Sequence, residues 1–135
     1  MVDTTKKIVI VEDEPDTAEM FAEMMRLNGY TVLKSYGGVS AIKLVTDEKP
    51  DAVVLDVMMP DLSGLDVLRH LRQDDDLKNI PVIVASAKSL PSDIQAGLDA
   101  GASIYLTKPV TYQEFSRAVQ DVIDVAAKTE GYKRE

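Results

Sequence analysis

The feature that most constrains the fold of this chain is a short, wholly apolar run at residues 52–55, which is followed directly by Asp56. A run of this length without polar alternation is typical of a strand that is covered on both faces, as in a parallel sheet. Because an ionised carboxylate is costly to bury, Asp56 is expected just beyond the last buried residue, at the carboxyl end of the strand. A lone Asp in this place most often only begins a turn, so its role depends on what lies around it.

Four other apolar runs have strand-like length, at residues 6–11, 30–34, 80–85 and 102–106. The run at 30–34 alternates more than the others, which favours a position near an edge of the sheet. Apolar residues at helical spacing predict five helices after these strands, the last over residues 112–127. The side chains expected to face the core are Ala18, Phe21 and Met25 with Met24 beside them, then Ala41, Leu44 and Val45, then Leu65, Leu68 and Leu71, then Ile94 and Leu98, and finally Phe115, Ala118, Val119, Val122, Ile123 and Ala126.

Strand and helix alternate five times with short connections, and this alternation predicts the fold class. Parallel strands need crossover connections, and right-handed crossovers place helices on both faces of the sheet. We therefore predict an α/β protein with a doubly wound, five-stranded parallel sheet. In open sheets of this kind, ligands bind outside the carboxyl ends of the strands. The residues that follow the strands are thus the candidates for a functional site.

The 135 residues, of which 45% are hydrophobic and 28% charged, suit one globular domain. We expect an N-terminal tail at residues 1–5, the domain at 6–127 and a polar C-terminal tail at 128–135. The chain has no cysteine, which excludes disulfides and thiolate metal sites and suits a reducing cytoplasm. No apolar stretch has the length of a signal peptide or a membrane span, so we predict a cytoplasmic protein without a membrane partner. The formal net charge of -8 disfavours direct nucleic-acid binding, which needs a basic face.

Five side chains capable of chemistry follow four of the predicted strands: Glu12 and Asp13, then Asp56, Ser86 and Lys108. Three carboxylates at one edge of a sheet repel each other, and a single ammonium group cannot neutralise them. Ligation by oxygen alone favours magnesium among the divalent cations. A magnesium ion there would leave positions open for a phosphoryl oxygen and would screen its charge.

A carboxylate can itself be phosphorylated, which makes Asp56 a candidate nucleophile. Lys108 would then hold one phosphoryl oxygen as a point charge, and the Ser86 hydroxyl would donate to another. Each of these residues alone is weak support for phosphorylation. Their joint occurrence after successive strands is improbable by chance.

With these residues in place, the chain resembles the receiver domain of bacterial two-component response regulators, the CheY-like family, over roughly residues 6–127. Two departures from the family pattern are mild, since Glu12 stands where Asp is commoner and Ser86 where Thr is commoner. Both variants occur in the family, so neither counts against phosphorylation. The segments that carry the resemblance are Ile8-Val-Ile-Val-Glu-Asp-Glu14, Val53-Val-Leu-Asp-Val-Met-Met-Pro60 with Gly64, Val82-Ile-Val-Ala-Ser-Ala87 and Gly101-Ala-Ser-Ile-Tyr-Leu-Thr-Lys-Pro109.

The resemblance implies a flavodoxin-like sheet of order 2-1-3-4-5. It also implies magnesium-dependent phosphoryl transfer to Asp56 from a sensor histidine kinase or a phosphotransfer protein. The family's ligands for magnesium match Asp13, Asp56 and the main-chain carbonyl of Met58, with Glu12 binding through water.

The resemblance further implies a switch pair, Ser86 and Tyr105, and a cis peptide bond between Lys108 and Pro109. Without the family resemblance, a lone Tyr in a strand would be expected only to pack its ring between helix and strand. The implied partners are a downstream protein target and a second copy bound through the face of helix 4, strand 5 and helix 5. Such a protein is a phosphoacceptor switch and not an enzyme.

Other interpretations stay open at this point. The chain is either a stand-alone receiver or the N-terminal fragment of a longer regulator with an output domain. A phosphorylation-independent interaction module would have the same fold without the chemistry. A phosphohydrolase of the haloacid dehalogenase type also uses an Asp after a strand, but it needs a second acid where this chain has Met58. His70, the only histidine, is expected on the surface of the third helix.

Overall fold

The computed structural model describes the backbone of residues 5–133 and the side chains of residues 5–128. Five parallel strands form one sheet in the order β2-β1-β3-β4-β5, which confirms the predicted flavodoxin-like α/β fold. The strands are β1 (Lys7–Val11), β2 (Thr31–Ser35), β3 (Ala52–Leu55), β4 (Val82–Ser86) and β5 (Ile104–Thr107). The helices are α1 (Pro15–Leu27), α2 (Gly38–Glu48), α3 (Gly64–Gln73), α4 (Pro91–Asp99) and α5 (Tyr112–Lys133).

The sheet is covered on both faces, and each face has its own core. Because alternate residues of a strand point to opposite faces, Ile8 and Ile10 of β1 pack with α1 and α5, whereas Val9 and Val11 pack with α2 and α3. All residues of β3 and β4 are buried, which is why both runs lack polar alternation. Burial of one Ile, Leu or Val side chain contributes about 1.5–3 kcal/mol, so the two cores hold the strand ends firmly in place.

The two edge strands, β2 and β5, are less buried than the three central strands. In β2 only Ser35 is buried, and this strand lies at one edge of the sheet, as its alternating sequence predicts. In β5 every residue is only partly buried. β5 therefore presents Tyr105 close to the surface of the domain.

The predicted inward faces of the helices are confirmed except on α4. Leu98, which is predicted to face the core, is 41% exposed, and Gly97 is the buried residue of this helix. The physical reason is that the Tyr105 ring lies against the helix at Gly97, so the position nearest the sheet has no room for a leucine. The partly buried members of the predicted faces are Met24, Leu44, Leu65, Ile94 and Ala126.

The last helix, α5, continues to Lys133, past its predicted end at Ala127. Residues 128–130 contain neither proline nor glycine, so nothing in the local sequence ends the helix there. Residues 1–4 and 134–135 of the two predicted tails lie outside the described residues. Within residues 5–133, no helix combines the length and the apolar character that crossing a membrane would require.

Candidate functional site

The site lies at the carboxyl edge of the sheet, where β1 and β3 end side by side. Val11 and Leu55 are partners in the strand register, and the Asp56 main-chain N–H donates to the Val11 carbonyl at 3.0 Å. The residues that follow these strands therefore meet. Glu12, Asp13 and Asp56 offer carboxylate oxygens that all lie within 4.8 Å of one another. Glu12 and Asp56 are buried, with 2% and 7% of their surfaces exposed. The expectation that Asp56 lies beyond the last buried residue is therefore wrong, because bonds from Lys108 and from the Met58 N–H offset the cost of burying its carboxylate.

Lys108, which follows β5, supplies a cation to this cluster. Its Nζ atom lies 2.6 Å from Glu12 Oε1 and 2.9 Å from Asp56 Oδ2. Its main-chain N–H donates to the Ser86 carbonyl at 2.8 Å, which fixes the residue beside the end of β4. The ammonium group also lies 5.9 Å from the ring centroid of Phe21, within the range of a cation–π contact. One ammonium group thus faces three carboxylates, so the cluster retains excess negative charge.

The surroundings raise the pKa of both Glu12 and Lys108. Burial raises the pKa of Glu12, even though the hydrogen bond from Lys108 works against the rise. Burial alone would lower the pKa of Lys108, but its hydrogen bonds to Glu12 and Asp56 outweigh burial and raise it. Lys108 therefore remains a cation at neutral pH. Its charge offsets the cost of burying the Glu12 and Asp56 carboxylates.

The loop after β3 folds back onto the Asp56 carboxylate. The Met58 main-chain N–H donates to Asp56 Oδ1 at 2.9 Å, while Asp56 Oδ2 faces Lys108. The Met58 side chain is 50% exposed and lies beside the site. Gly64 closes the loop, since a Cβ atom at this position would lie 2.2 Å from the Asp56 carbonyl oxygen. A side chain at position 64 would push the loop that begins at Asp56 out of place.

A second anchor ties this loop to helix α2. The Asp61 carboxylate accepts the main-chain N–H groups of Gly38 at 3.0 Å and of Val39 at 3.2 Å. It thus caps a helix whose own N-cap residue, Gly37, has no side chain. These main-chain N–H groups lower the pKa of Asp61. The loop that carries Asp56 is therefore held at both ends by hydrogen bonds.

Ser86 and Tyr105 are linked through the main chain of Lys88. Ser86 is fully buried at the end of β4, and its Oγ accepts the Lys88 N–H at 3.2 Å. The Tyr105 hydroxyl donates to the Lys88 carbonyl at 2.7 Å. Burial raises the pKa of the Tyr105 hydroxyl. Ser86 and Tyr105 therefore share one hydrogen-bonded neighbour, Lys88.

The donor set of the acid cluster suits a hard divalent cation. Carboxylate oxygens are the ligands that magnesium and calcium prefer, and a site with few carboxylates that leaves room for water suits magnesium. His70 does not compete as a ligand, because it is exposed on α3 as predicted. The structure thus brings together the three predicted acids, Glu12, Asp13 and Asp56, with Lys108.

The remaining predicted features lie close by. Ser86 is adjacent through its bond to the Lys108 main chain, and the Lys108–Pro109 peptide bond is cis, as predicted. Two residues that position parts of the site, Asp61 and Gly97, were not predicted from the sequence. The available signals were an acid directly after Pro60 and a glycine in the interior of a helix, which usually has a packing reason.

The comparisons with known proteins agree on one family. The chain matches the family described as "Response regulator receiver domain" over residues 8–120. It is 43% identical over 108 residues to the response regulator MprA of Mycobacterium ulcerans (strain Agy99), covering 80% of this chain and 46% of that protein. It is 39% identical over 125 residues to the MprA protein of Mycobacterium sp. (strain KMS), covering 93% of this chain and 54% of that protein. The chain spans about half the length of the curated relatives it matches.

Solved structures give the same result. The Francisella response regulator 1452 receiver domain has a TM-score of 0.84 and 29% identity, with 89% of this chain and 98% of that chain covered. The receiver domain of sensor histidine kinase PA1611 from Pseudomonas aeruginosa PAO1 has a TM-score of 0.83 and 30% identity, with 90% and 99% covered. That structure has a magnesium ion coordinated in its active site cleft. Because the family match extends over most of the chain, this protein belongs to the response regulator receiver domain family of two-component systems.

Proposed function

We propose that this receiver domain accepts a phosphoryl group on Asp56 from a sensor histidine kinase or a phosphotransfer protein, and that magnesium is required. The observation that carries the proposal is the buried Asp56 carboxylate, which is bonded to Lys108 and lies within 4.8 Å of two further acids. A phosphoryl-transfer site accounts for this costly concentration of charge, because magnesium and the incoming phosphoryl group both need it. The experiment is phosphorylation of the purified protein by a small-molecule phosphodonor, with and without magnesium.

The proposed metal ligands are Asp13, Asp56 and the main-chain carbonyl of Met58, with Glu12 binding through water. When bound, magnesium would shield the incoming phosphoryl group from the carboxylates. An Asp56 carboxylate oxygen would form the new bond to phosphorus while the bond to the donor's histidine nitrogen breaks, and that nitrogen keeps the electron pair. Lys108 would hold one phosphoryl oxygen, and the Ser86 hydroxyl would donate to another.

The bonds that Ser86 makes support a proposed switch. Its Oγ accepts the Lys88 N–H, and the Lys88 carbonyl holds the Tyr105 hydroxyl. When Ser86 moves toward a phosphoryl oxygen, Lys88 and Tyr105 would move with it. These residues border the face made by α4, β5 and α5, where Leu90, Leu98 and Tyr112 are exposed. A shift between two populations is enough to change what this face binds.

Phosphorylation is therefore expected to shift backbone amide signals in residues 90–120, a range that contains α4 and β5 and the start of α5. The cause is the coupled movement of Ser86, Lys88 and Tyr105. The measurement compares amide spectra of the protein before and after phosphodonor treatment in the presence of magnesium. Residues 40–50, which lie on α2 and its exit, serve as an internal reference that should move less. Unchanged signals in residues 90–120 of a fully phosphorylated sample would refute the coupling.

The lifetime of the phosphorylated state is expected to depend on Met58. Hydrolysis needs a water molecule in line with the bond to phosphorus, and a polar side chain two residues after the nucleophile can hold that water. The Met58 thioether is only a weak acceptor, and half of the residue's surface is exposed beside the site. We expect Met58→Asn to lose its phosphoryl group faster, by up to about 100-fold, the lower end of what one positioned proton-transferring group contributes.

The measurement follows dephosphorylation of purified wild type and Met58→Asn over time, after the phosphodonor is removed. Met20→Asn is the matched control, because Met20 is 47% exposed on α1 and is not among the residues of the acid cluster. Equal rates for wild type and Met58→Asn would show that Met58 does not limit the attacking water.

The proposed partners follow from this role. They are the phosphodonor protein, a downstream protein target and a second copy of the chain bound through the face of α4, β5 and α5. We propose a cytoplasmic phosphoacceptor switch that is not itself an enzyme and does not bind nucleic acid through this domain. A phosphorylation-independent interaction module is the competing proposal, and it predicts no phosphoryl transfer in the phosphodonor experiment.

A further inference from the structure

Gly97, in the last turn of α4, lies directly against the ring of Tyr105. A Cβ atom built at Gly97 would lie 2.6 Å from Tyr105 Cδ2 and 2.8 Å from Tyr105 Cε2. These distances are too short for any real side chain. The aromatic ring therefore occupies the space that a side chain at position 97 would need.

A glycine in the interior of a helix has a cost that calls for a reason. Glycine loses more conformational freedom on folding than any other residue and is a poor helix former. Gly97 is nevertheless the buried residue of α4, while Leu98 beside it is exposed. The contact with Tyr105 supplies the reason, because only a residue without a side chain lets the helix approach the ring this closely.

The ring contact also determines where the Tyr105 hydroxyl lies. With the ring against Gly97, the hydroxyl donates to the Lys88 carbonyl at 2.7 Å, and the Lys88 N–H donates to Ser86 Oγ at 3.2 Å. A continuous series of contacts thus connects α4 to the buried hydroxyl of Ser86 at the carboxyl edge of the sheet. Gly97 forms the α4 end of this series.

We propose that Gly97 is a positioning residue for Tyr105: its missing side chain is what lets the ring pack on α4 and the hydroxyl reach Lys88. The position of the ring and the position of α4 are then tied to each other. The functional meaning of this contact rests on the proposed role of Tyr105 in the switch. The contact itself is observed directly, so it can be tested without phosphorylating the protein.

A methyl group at position 97 is expected to displace the ring without unfolding the domain. The closest atoms belong to a side chain that turns about its own bonds, and not to the backbone. A cavity of about 120 Å³ lies between Tyr105 and the loop that follows β3. This cavity gives the ring room to move. The residues that line this cavity are Val57, Ser63, Leu65, Lys88, Asp93, Ala96 and Tyr105.

The test compares unphosphorylated wild type and Gly97→Ala by NMR of the Tyr105 ring and the Lys88 amide. In Gly97→Ala we expect both sets of signals to shift, because the ring leaves α4 and its hydroxyl loses the Lys88 carbonyl. We also expect a lower melting temperature, although the same substitution in a helix without such a contact raises it. Unmoved Tyr105 signals together with a raised melting temperature would overturn the proposal.

A second pair of variants keeps the proposal testable if Gly97→Ala folds poorly. In the Tyr105→Ala background the ring is absent, so adding Gly97→Ala should raise the melting temperature instead of lowering it. If the double variant is less stable than Tyr105→Ala alone, the methyl group clashes with something other than the ring, and the proposal is wrong. Because these samples carry no phosphoryl group, failure here is distinct from failure of the phosphodonor experiment.

Discussion

Replacing Lys108 by methionine is expected to destabilise the metal-free protein by about 3 kcal/mol at neutral pH, as is typical when one partner of a buried ion pair is removed. The substitution keeps the length of the side chain and removes the charge. It leaves Glu12 and Asp56, whose side chains are 3% and 8% exposed, without the cation that both now contact. Two buried carboxylates would then repel each other and Asp13 in surroundings where water screens them poorly.

The pH dependence of this loss has a definite sign. The pKa of Glu12 is already raised by burial in the wild type, and removing Lys108 takes away a hydrogen bond that lowers it. A carboxyl group with a raised pKa in the folded state favours folding when it is protonated, so stability is gained as the pH falls through that raised pKa. The deficit of Lys108→Met relative to wild type should therefore shrink as the pH is lowered from neutral toward 4.5, the ordinary pKa of Glu12.

The measurement is denaturant unfolding of wild type and Lys108→Met in a metal chelator and again with magnesium. Lys43→Met is the matched control, because Lys43 pairs with Asp47 on the exposed surface of α2 and its loss should change little. Magnesium should stabilise Lys108→Met more than wild type, because the acid cluster has lost its competing cation. Equal stability of Lys108→Met and wild type in chelator would show that Lys108 does not balance the acids.

Withholding magnesium, or replacing Asp56 by asparagine, is expected to abolish phosphoryl transfer from a small phosphodonor. Without a divalent cation, an incoming phosphoryl group meets three carboxylates that lie within 4.8 Å of each other and one ammonium group. In a poorly screened site such repulsion amounts to several kcal/mol, on the order of 4 kcal/mol for one pair of charges 4 Å apart. Asparagine in place of Asp56 removes the nucleophile while keeping the size of the side chain.

Two control variants distinguish loss of the phosphorylation site from the general effect of removing a carboxylate. Asp75→Asn changes a carboxylate whose side chain is 93% exposed, so it should be labelled as well as wild type. Asp13→Asn keeps the nucleophile but removes one proposed magnesium ligand, so it should need more magnesium for the same labelling. Labelling of Asp56→Asn to the wild-type extent would place the phosphoryl group elsewhere in the chain.

The fold was predictable because its signals are local and strong. Residues 52–55 and 82–85 have no polar side chain, and the structure buries every one of them. Such runs predict strands, and the short connections predict a doubly wound parallel sheet, whereas the strand order was implied by the family resemblance. The site was predictable because its residues are placed by the strands. Glu12, Asp56 and Lys108 each directly follow a strand of one parallel sheet.

What the sequence did not reveal are contacts between elements that are distant in the chain. Gly97 and Tyr105 meet because α4 packs on β5, and helical periodicity alone placed Leu98 inward instead. The Asp61 carboxylate caps α2, a helix that precedes it in the chain, and an acid after Pro60 does not by itself indicate which helix it caps. The end of α5 was missed because helix length depends on the absence of a stop signal as much as on an apolar face.

The most direct test of the central claim is the intact mass of the protein after treatment with a small-molecule phosphodonor and magnesium. Wild type is predicted to gain the mass of one phosphoryl group, Asp56→Asn none, and wild type in chelator none. Another receiver domain treated alongside establishes that the conditions permit labelling. An unchanged mass of wild type under conditions that label the other receiver would contradict the account.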